Sequence, residues 1–381
     1  MNIKASVVTV VIALILNACG GGDGNGNGKE ACESYRLYVA NRSDDSVSVV
    51  DVCNNVELKK IAAGDGANIW AQDEDNHRIY VSNEESNTIT VIDSKNAQAI
   101  ATLTVENNPK DIAVDETRKL IYITNSGSNS VSVYKTTDFI TYTKAVDEID
   151  VGNGPHKVVV NPDSGKAYVA MAIRDVYIIN GDDLSALPAI VDVTGGNGNP
   201  SLRRVTFNEI NKKVYVTRSH SDADDRVAIF NGDAVEVTVK VGEGARRMST
   251  DSVGNIYTAD RSNNTVSKIL ISNNSVSQFN VGQDPNGLKA NEAGTTIYTS
   301  VSTDDAVNVI EVASGNTTAI GVGLNPVNMD LIEELKRLYV ANRGNADDGN
   351  TLSVINTENN SVVKTVTIGT NPGGMRFANI D

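Results

Sequence analysis

Hydrophobic positions in this chain alternate in short bursts, and no segment of useful length repeats them at helical spacing. Between Asn107 and Val151 the run KDIAVDE places Ile112 and Val114 two residues apart, and LIYITN is apolar and β-branched. NSVSVYK then alternates through Val131 and Val133, and a fourth apolar run closes the stretch. Period-two alternation built from β-branched and aromatic residues predicts strands. The polar loop NSGSNS and the turns NPK and GNGPH lie between them and supply turn chemistry. The stretch predicts four short strands joined as an antiparallel meander.

The same pattern recurs along the chain, each time around one tyrosine: Tyr38, Tyr80, Tyr122, Tyr168, Tyr215, Tyr257, Tyr298 and Tyr339, spaced 42, 42, 46, 47, 42, 41 and 41 residues apart. A nearly constant period in this range marks a repeat architecture, and four strands per repeat is the content of a propeller blade. The first copy, RLYVAN from Arg36, begins at the second strand of the unit. The last copy is complete and is followed by NPGGMRFANID, a first strand with nothing after it. The two ends are therefore expected to complete one blade together, which closes the ring and removes two exposed sheet edges. The predicted fold is an all-β, eight-bladed β-propeller of four-stranded antiparallel blades over residues 32–381.

YVAN, YVSN, YITN and YVTR, with N-P-x-x-I-A-V before and S-V-S-V-I-D after, resemble the repeats of the YVTN-repeat (YncE-like) β-propellers of bacterial and archaeal surface proteins. The resemblance covers essentially all of the chain after Cys32. Many members of that family are seven-bladed, so an eighth blade is expected to widen the axial channel.

Residues 1–18 read differently. One lysine, an apolar run from Ala5 to Leu16 and then small residues form a secretory signal too short to span a bilayer. LNAC at Leu16–Cys19 resembles the bacterial lipobox, which implies lipidation of Cys19 as a new N-terminus, and residues 19–31, rich in Gly and Asn, suit a flexible tether. Gly20 rather than Asp after that cysteine favours the outer membrane in the enteric sorting pattern. An exported chain meets an oxidising compartment, where Cys32 and Cys53 can pair in only one way; two buried free thiols are the alternative.

The formal net charge of −15 repels nucleic acid and anionic membrane surfaces over most of the protein. One region runs against it. In a propeller the first strand of each blade is innermost, so the turns leading into those strands gather around the channel mouth. Aligned on the proline or its substitute, these turns carry Asn68-Ile69, Lys110-Asp111, His156-Lys157, Arg203-Arg204, Arg246-Arg247, Asn286-Gly287, Val327-Asn328 and Gly373-Gly374. Four consecutive blades thus present Lys110, His156, Lys157, Arg203, Arg204, Arg246 and Arg247, a basic crescent suited to carboxylates or phosphates. The alternative is that every second side chain points away from the axis and pairs with acidic loops such as DADD at Asp222–Asp225. His156 suits a general base or a ligand as well as a structural imidazole. Asp-rich loops offer oxygen ligands for calcium but are also ordinary turn formers. Trp70 falls in an apolar slot of an inner strand, and Asn41, Asn83, Asn125 and Asn342 are expected to turn onto backbone amides as scaffold.

No nucleophile elbow, P-loop, haem-attachment or zinc signature is present, so no catalytic residue, cofactor or metal site is assigned. The leading expectation is a monomeric, lipid-anchored, non-catalytic binding scaffold of the cell envelope with a protein or surface-polymer partner or a small anionic ligand. The alternatives, carried by resemblance among propellers, are sugar-lactone hydrolysis and accessory service to periplasmic haem or metal cofactor assembly.

Overall fold

The computed structural model describes residues 32–194, 199–220, 224–345 and 349–380, with only the backbone at Ile69 and Trp70. The signal, Cys19, the tether and Asp222 lie outside these residues, as does the Trp70 side chain.

Eight antiparallel sheets follow one another around an axis. Blade 1 is composite: Pro372–Asn379 is its innermost strand, followed outwards by Tyr35–Asn41, Ser46–Asp51 and Val56–Ala62. The inner strands of blades 2 to 8 are Ala67–Asp73, Pro109–Asp115, Pro155–Asn161, Ser201–Asn208, Ala245–Thr250, Pro285–Ala290 and Pro326–Ile332. Each is followed outwards by its hairpin partners in sequence order. The expected closure is present: Leu37 pairs with Phe377 and Val39 with Met375. Blade 3 departs slightly from the four-strand pattern, because its outer strand is broken into Tyr142–Lys144 and Ile149–Asp150, both paired to Ser130–Thr136.

Apolar clusters fill the wedges between neighbouring blades rather than one central core. One joins Val131 and Val133 of blade 3 to Val158 and Val169 of blade 4, and another joins Leu338 and Val340 of blade 8 to Val307 of blade 7. The eight repeat tyrosines lie in these wedges, all buried. A buried phenol needs a hydrogen-bond partner. Several reach across to the next blade: Tyr38 donates to the Ser94 carbonyl (2.5 Å), Tyr168 to that of Gly232 (3.1 Å) and Tyr339 to that of Val52 (3.3 Å). The clasp is not universal, because Tyr215 accepts from Asn211 and Tyr257 donates to Asp251 within their own blades.

The asparagines behave differently from expectation. Instead of turning onto backbone amides, Asn41 Nδ2 donates to the hydroxyls of Ser46 and Ser48, Asn83 to Thr88 and Thr90, Asn125 to Ser130 and Ser132, and Asn342 to Thr351 and Ser353. They are scaffold, but they lock the second strand to the third through buried side chains.

Candidate functional site: the basic mouth of the axial channel

A β-bulge opens most of the inner strands. In blade 3 Pro109 faces Asn125 but Asp111 already faces Thr124, leaving Lys110 as the extra residue; His156 and Arg246 are the extra residues of blades 4 and 6. In blade 5 the register shifts between Leu202 and Val205, across Arg203 and Arg204. In blades 3, 5 and 7 a hydroxyl on the second strand receives the displaced amide: Asp111 N–H donates to Thr124 Oγ1 (3.0 Å), Arg204 N–H to Thr217 Oγ1 (2.8 Å) and Gly287 N–H to Ser300 Oγ (2.7 Å). A bulge puts two residues where alternation allows one, and so re-aims side chains. As a result Lys110, Asp111, His156, Lys157, Arg203, Arg204, Arg246 and Arg247 all line the channel, a cavity of about 1120 Å³.

The lead-in turns are fixed from the preceding blade. Asp45, Asn129, Asp225 and Asp305 accept the backbone N–H of Gly66 (2.9 Å), Gly154 (3.0 Å), Ala245 (3.1 Å) and Asn325 (2.7 Å). Asp45, Asn129 and Asp305 have left-handed φ of 48°, 58° and 50°, a conformation Asn and Asp tolerate better than other non-glycine residues. These loop acids are turn clasps. Asp224, the other described acid of DADD, pairs with Arg218 and Arg226 rather than with the crescent. Among the described residues no cluster of three or more metal-ligating side chains forms.

The crescent divides into paired and unpaired cations. Lys110 Nζ lies 3.0 Å from Glu84, which also meets Arg42 at 2.9 Å and accepts from Asn68 Nδ2 (2.6 Å). Burial opposes the Glu84 charge, but Asn68, Lys110 and Arg42 together hold its carboxyl below the usual range. Lys157 Nζ lies 3.3 Å from Asp111, whose other oxygen accepts from Val158 N–H (3.0 Å). Burial pushes Lys157 down to about 8; Asp111 opposes this, and Arg204 and Arg247 add to it. His156 falls to about 4, chiefly through burial and then through Lys157, Lys110 and Arg203, so its imidazole is neutral at physiological pH.

The four arginines differ from the lysines. Among the described residues, none of Arg203, Arg204, Arg246 and Arg247 forms an ion pair, whereas both crescent lysines do. Arg204 Nε is buried without a hydrogen-bond partner. Burial, then Arg204, Arg246, Arg343 and Arg376, lower Arg247 to about 9. Guanidiniums so placed repel one another in a partly dehydrated channel, where charge interactions exceed those in bulk water.

Arg42, Arg343, Arg376 and Lys289 also line the channel and were not among the expected residues. Arg42 and Arg343 both end the phrase YVANR, whose recurrence in blades 1 and 8 was the available signal. Arg376 stands two residues beyond Gly374, the register at which Val159 follows Lys157. At the opposite mouth Glu74, Glu292, Glu333 and Glu334 line the channel at the far ends of their strands. The channel is thus basic at one end and acidic at the other.

No curated protein matches the sequence significantly. Among solved structures the chain is similar to dihydro-heme d1 dehydrogenase NirN in complex with DHE, with a TM-score of 0.71 and 14% identity, covering 94% of this chain and 76% of that one. Apo AztD from Citrobacter koseri gives 0.65 at 14% identity, covering 90% and 97%. Virginiamycin B lyase from Staphylococcus aureus gives 0.57 at 9% identity, covering 80% and 95%. At these identities the likeness concerns the fold alone. Sequence is more specific: residues 8–283 match the family described as YNCE-like beta-propeller, to which this chain belongs.

Proposed function

We propose that the protein is a lipid-anchored binding module of the cell envelope that takes an anionic ligand at the basic mouth of its channel. The observation that carries this reading is the set of four arginines that form no ion pair among the described residues, Arg203, Arg204, Arg246 and Arg247, in a protein of net charge −15. An acidic chain with ample carboxylates leaves these guanidiniums open to a ligand. Guanidiniums bind anions through planar, bidentate hydrogen bonds and do not exchange protons near neutral pH, so the site is built for holding rather than for acid–base chemistry.

Sugar-lactone hydrolysis is less well supported. The carboxylate within the crescent, Asp111, is engaged by Lys157 and the Val158 amide on both oxygens. A haem-type ligand with acidic side chains is the form of the binding reading that the likeness to NirN favours, with the neutral His156 imidazole available at the mouth. Anchoring through Cys19 rests on the LNAC sequence.

The test is the melting temperature of the full chain with phosphate, citrate, sugar acids and haem-type carboxylates, since a ligand bound only by the folded state raises it. The reading expects a concentration-dependent rise that disappears when all four arginines are changed to Gln. A flat series, or a rise that survives the substitutions, overturns it.

A further inference from the structure

Exposed apolar side chains gather on the outer rim of the ring at its composite blade. Val56 and Leu58 on the outer strand of blade 1 are 42% and 52% exposed, and Val362 and Val363 on the outer strand of blade 8 are 38% and 45% exposed. These strands, Val56–Ala62 and Ser361–Thr367, are neighbours. A β-bulge in each pushes one residue out of the ladder. Val49 faces Lys59 and Val50 faces Glu57, leaving Leu58 as the extra residue; Val354 faces Lys364 and Ile355 faces Val362, leaving Val363. The same bulge recurs at Ile100 in blade 2 and Glu236 in blade 5. There the extra residue is accommodated, since Ile100 is half-buried against the cluster between blades 2 and 3 and Glu236 meets Lys213 at 2.5 Å. Of these four bulge residues, those of blades 1 and 8 alone are both apolar and exposed. Lys59 and Lys364 follow them, exposed and without an ion pair among the described residues, whereas Lys60 meets Asp44 at 2.8 Å.

The chain also arrives at this rim. Inner strands start at the basic mouth, so in an antiparallel blade the second and fourth strands start at the acidic end. Tyr35–Asn41 and Val56–Ala62 therefore begin there, and the Cys32–Cys53 disulfide joins the segments just before them. Leu58 and Cys32 line one cavity of about 200 Å³. Cys19 is thirteen residues before Cys32, a length that reaches at most about 45 Å however it runs. An acyl group on Cys19 keeps this rim near the bilayer.

We infer that the rim of blades 1 and 8 docks on a phospholipid bilayer, with Val56, Leu58, Val362 and Val363 entering the headgroup layer and Lys59 and Lys364 meeting anionic lipid phosphates. The inference rests on the anchoring reading and adds an orientation to it. Exposed apolar side chains gain by leaving water, and lysines are attracted to an anionic surface. A few such contacts are weak by themselves, and the anchor makes them effective by raising their local concentration. Both apolar pairs lie in the half of their strands nearer the acidic end. The ring therefore leans on that end, and the basic mouth faces away from the bilayer, open to ligand. A second copy is the competing occupant, because an outer strand has an unpaired edge, but lysines on that edge oppose such pairing.

The experiment is hydrogen exchange of the full chain, isolated with its anchor, in vesicles of phosphatidylcholine with and without phosphatidylglycerol and in a non-ionic detergent. The inference expects exchange at Val56–Ala62 and Ser361–Thr367 to slow by about fivefold or more in vesicles, most with phosphatidylglycerol. Exchange at Ala189–Asp192, the outer strand of blade 4, which exposes Ile190, should not change. Leu58→Gln/Val363→Gln should abolish the slowing, and Lys59→Gln/Lys364→Gln only its phosphatidylglycerol-dependent part, while both variants still float with the vesicles. A parent chain that floats without protecting these strands overturns the docking and leaves the anchor standing. A chain that does not float overturns both. Slowing that appears equally in detergent and grows with protein concentration assigns the rim to a second copy and overturns the docking.

Discussion

Ser267 donates a 2.5 Å hydrogen bond to Asp260, reversing the polarity of the bond that Asn41 makes to Ser48 at the same place in blade 1. Asp260 ends the second strand of blade 6 where blades 1, 2, 3 and 8 carry asparagine, and it accepts from Thr258 and Thr265 as well. Burial raises its pKa to about 6, and those hydroxyls only partly offset this. The folded state therefore holds the proton more tightly than the unfolded chain, and stability falls as pH rises from about 4 through about 6.

Asp260→Asn removes that dependence and restores the donor that four other blades use. At pH 7 the variant is expected to be more stable by roughly 2 to 3 kcal/mol, since each tenfold change in proton affinity is worth about 1.4 kcal/mol. At pH 4 the gain should vanish. Thermal melts across that range check both, and an equal gain at both pH values would mean that the charge is not the cause.

The disulfide joins Cys32 to Cys53 across a 21-residue separation, with their Cα atoms 5.2 Å apart. It ties the chain before Tyr35–Asn41 to the turn after Ser46–Asp51 in the composite blade. Closing a loop of this length is worth about 3 kcal/mol on the chain-entropy account. Cys32→Ala should lower the melting temperature in oxidising buffer and match the reduced parent in dithiothreitol. Equal destabilisation in both buffers would show that the side chain's packing matters rather than the bond.

The blade count, the closure and the crescent were legible because each rests on a repeated local signal: the tyrosine period, the missing first strand of the first repeat, and the residues after each lead-in proline. What alternation could not convey was that Asp111 and Lys110, or Arg247 and Arg246, would both face the axis. That depends on the bulge, whose displaced amide meets a hydroxyl at Thr124 and Thr217 but which also forms opposite Ala170 and Ala259. The threonine of the repeat looks like a strand former, yet it also caps the displaced amide. Arg376 was hidden for a related reason: the glycine pair before it left its lead-in turn without charge, and only the strand register places it in the channel.

Ring closure depends on Pro372–Asn379, whose Met375 is buried against Leu37 and Val39. Met375→Ala should cost about 2 to 5 kcal/mol, the range for emptying a packed methionine site. Ending the chain before Pro372 should do more, because Tyr35–Asn41 becomes an open apolar edge. Light scattering and melting of the two variants separate the effects: the point variant stays monodisperse, and the truncation associates. A truncated chain that is monodisperse and as stable as the parent would refute closure as the role of that strand.

Arg247 gives the test that separates a ligand site from scaffold. Its pKa is depressed, so the folded state disfavours its charge relative to the unfolded chain, and stability rises as pH climbs from about 9 towards the ordinary guanidinium value. At neutral pH the protonated side chain therefore lowers the stability of the ligand-free protein. Arg247→Met, which keeps the stem and removes the charge, should raise the ligand-free melting temperature by a few degrees while weakening anion binding. A structural arginine gives the opposite sign, because truncating a satisfied guanidinium leaves its partners unpaired and lowers stability. Adding a bound anion should narrow the gap between parent and variant, since the anion stabilises only the chain that retains the charge. A ligand-free melting temperature that falls in Arg247→Met would assign the guanidinium to the scaffold.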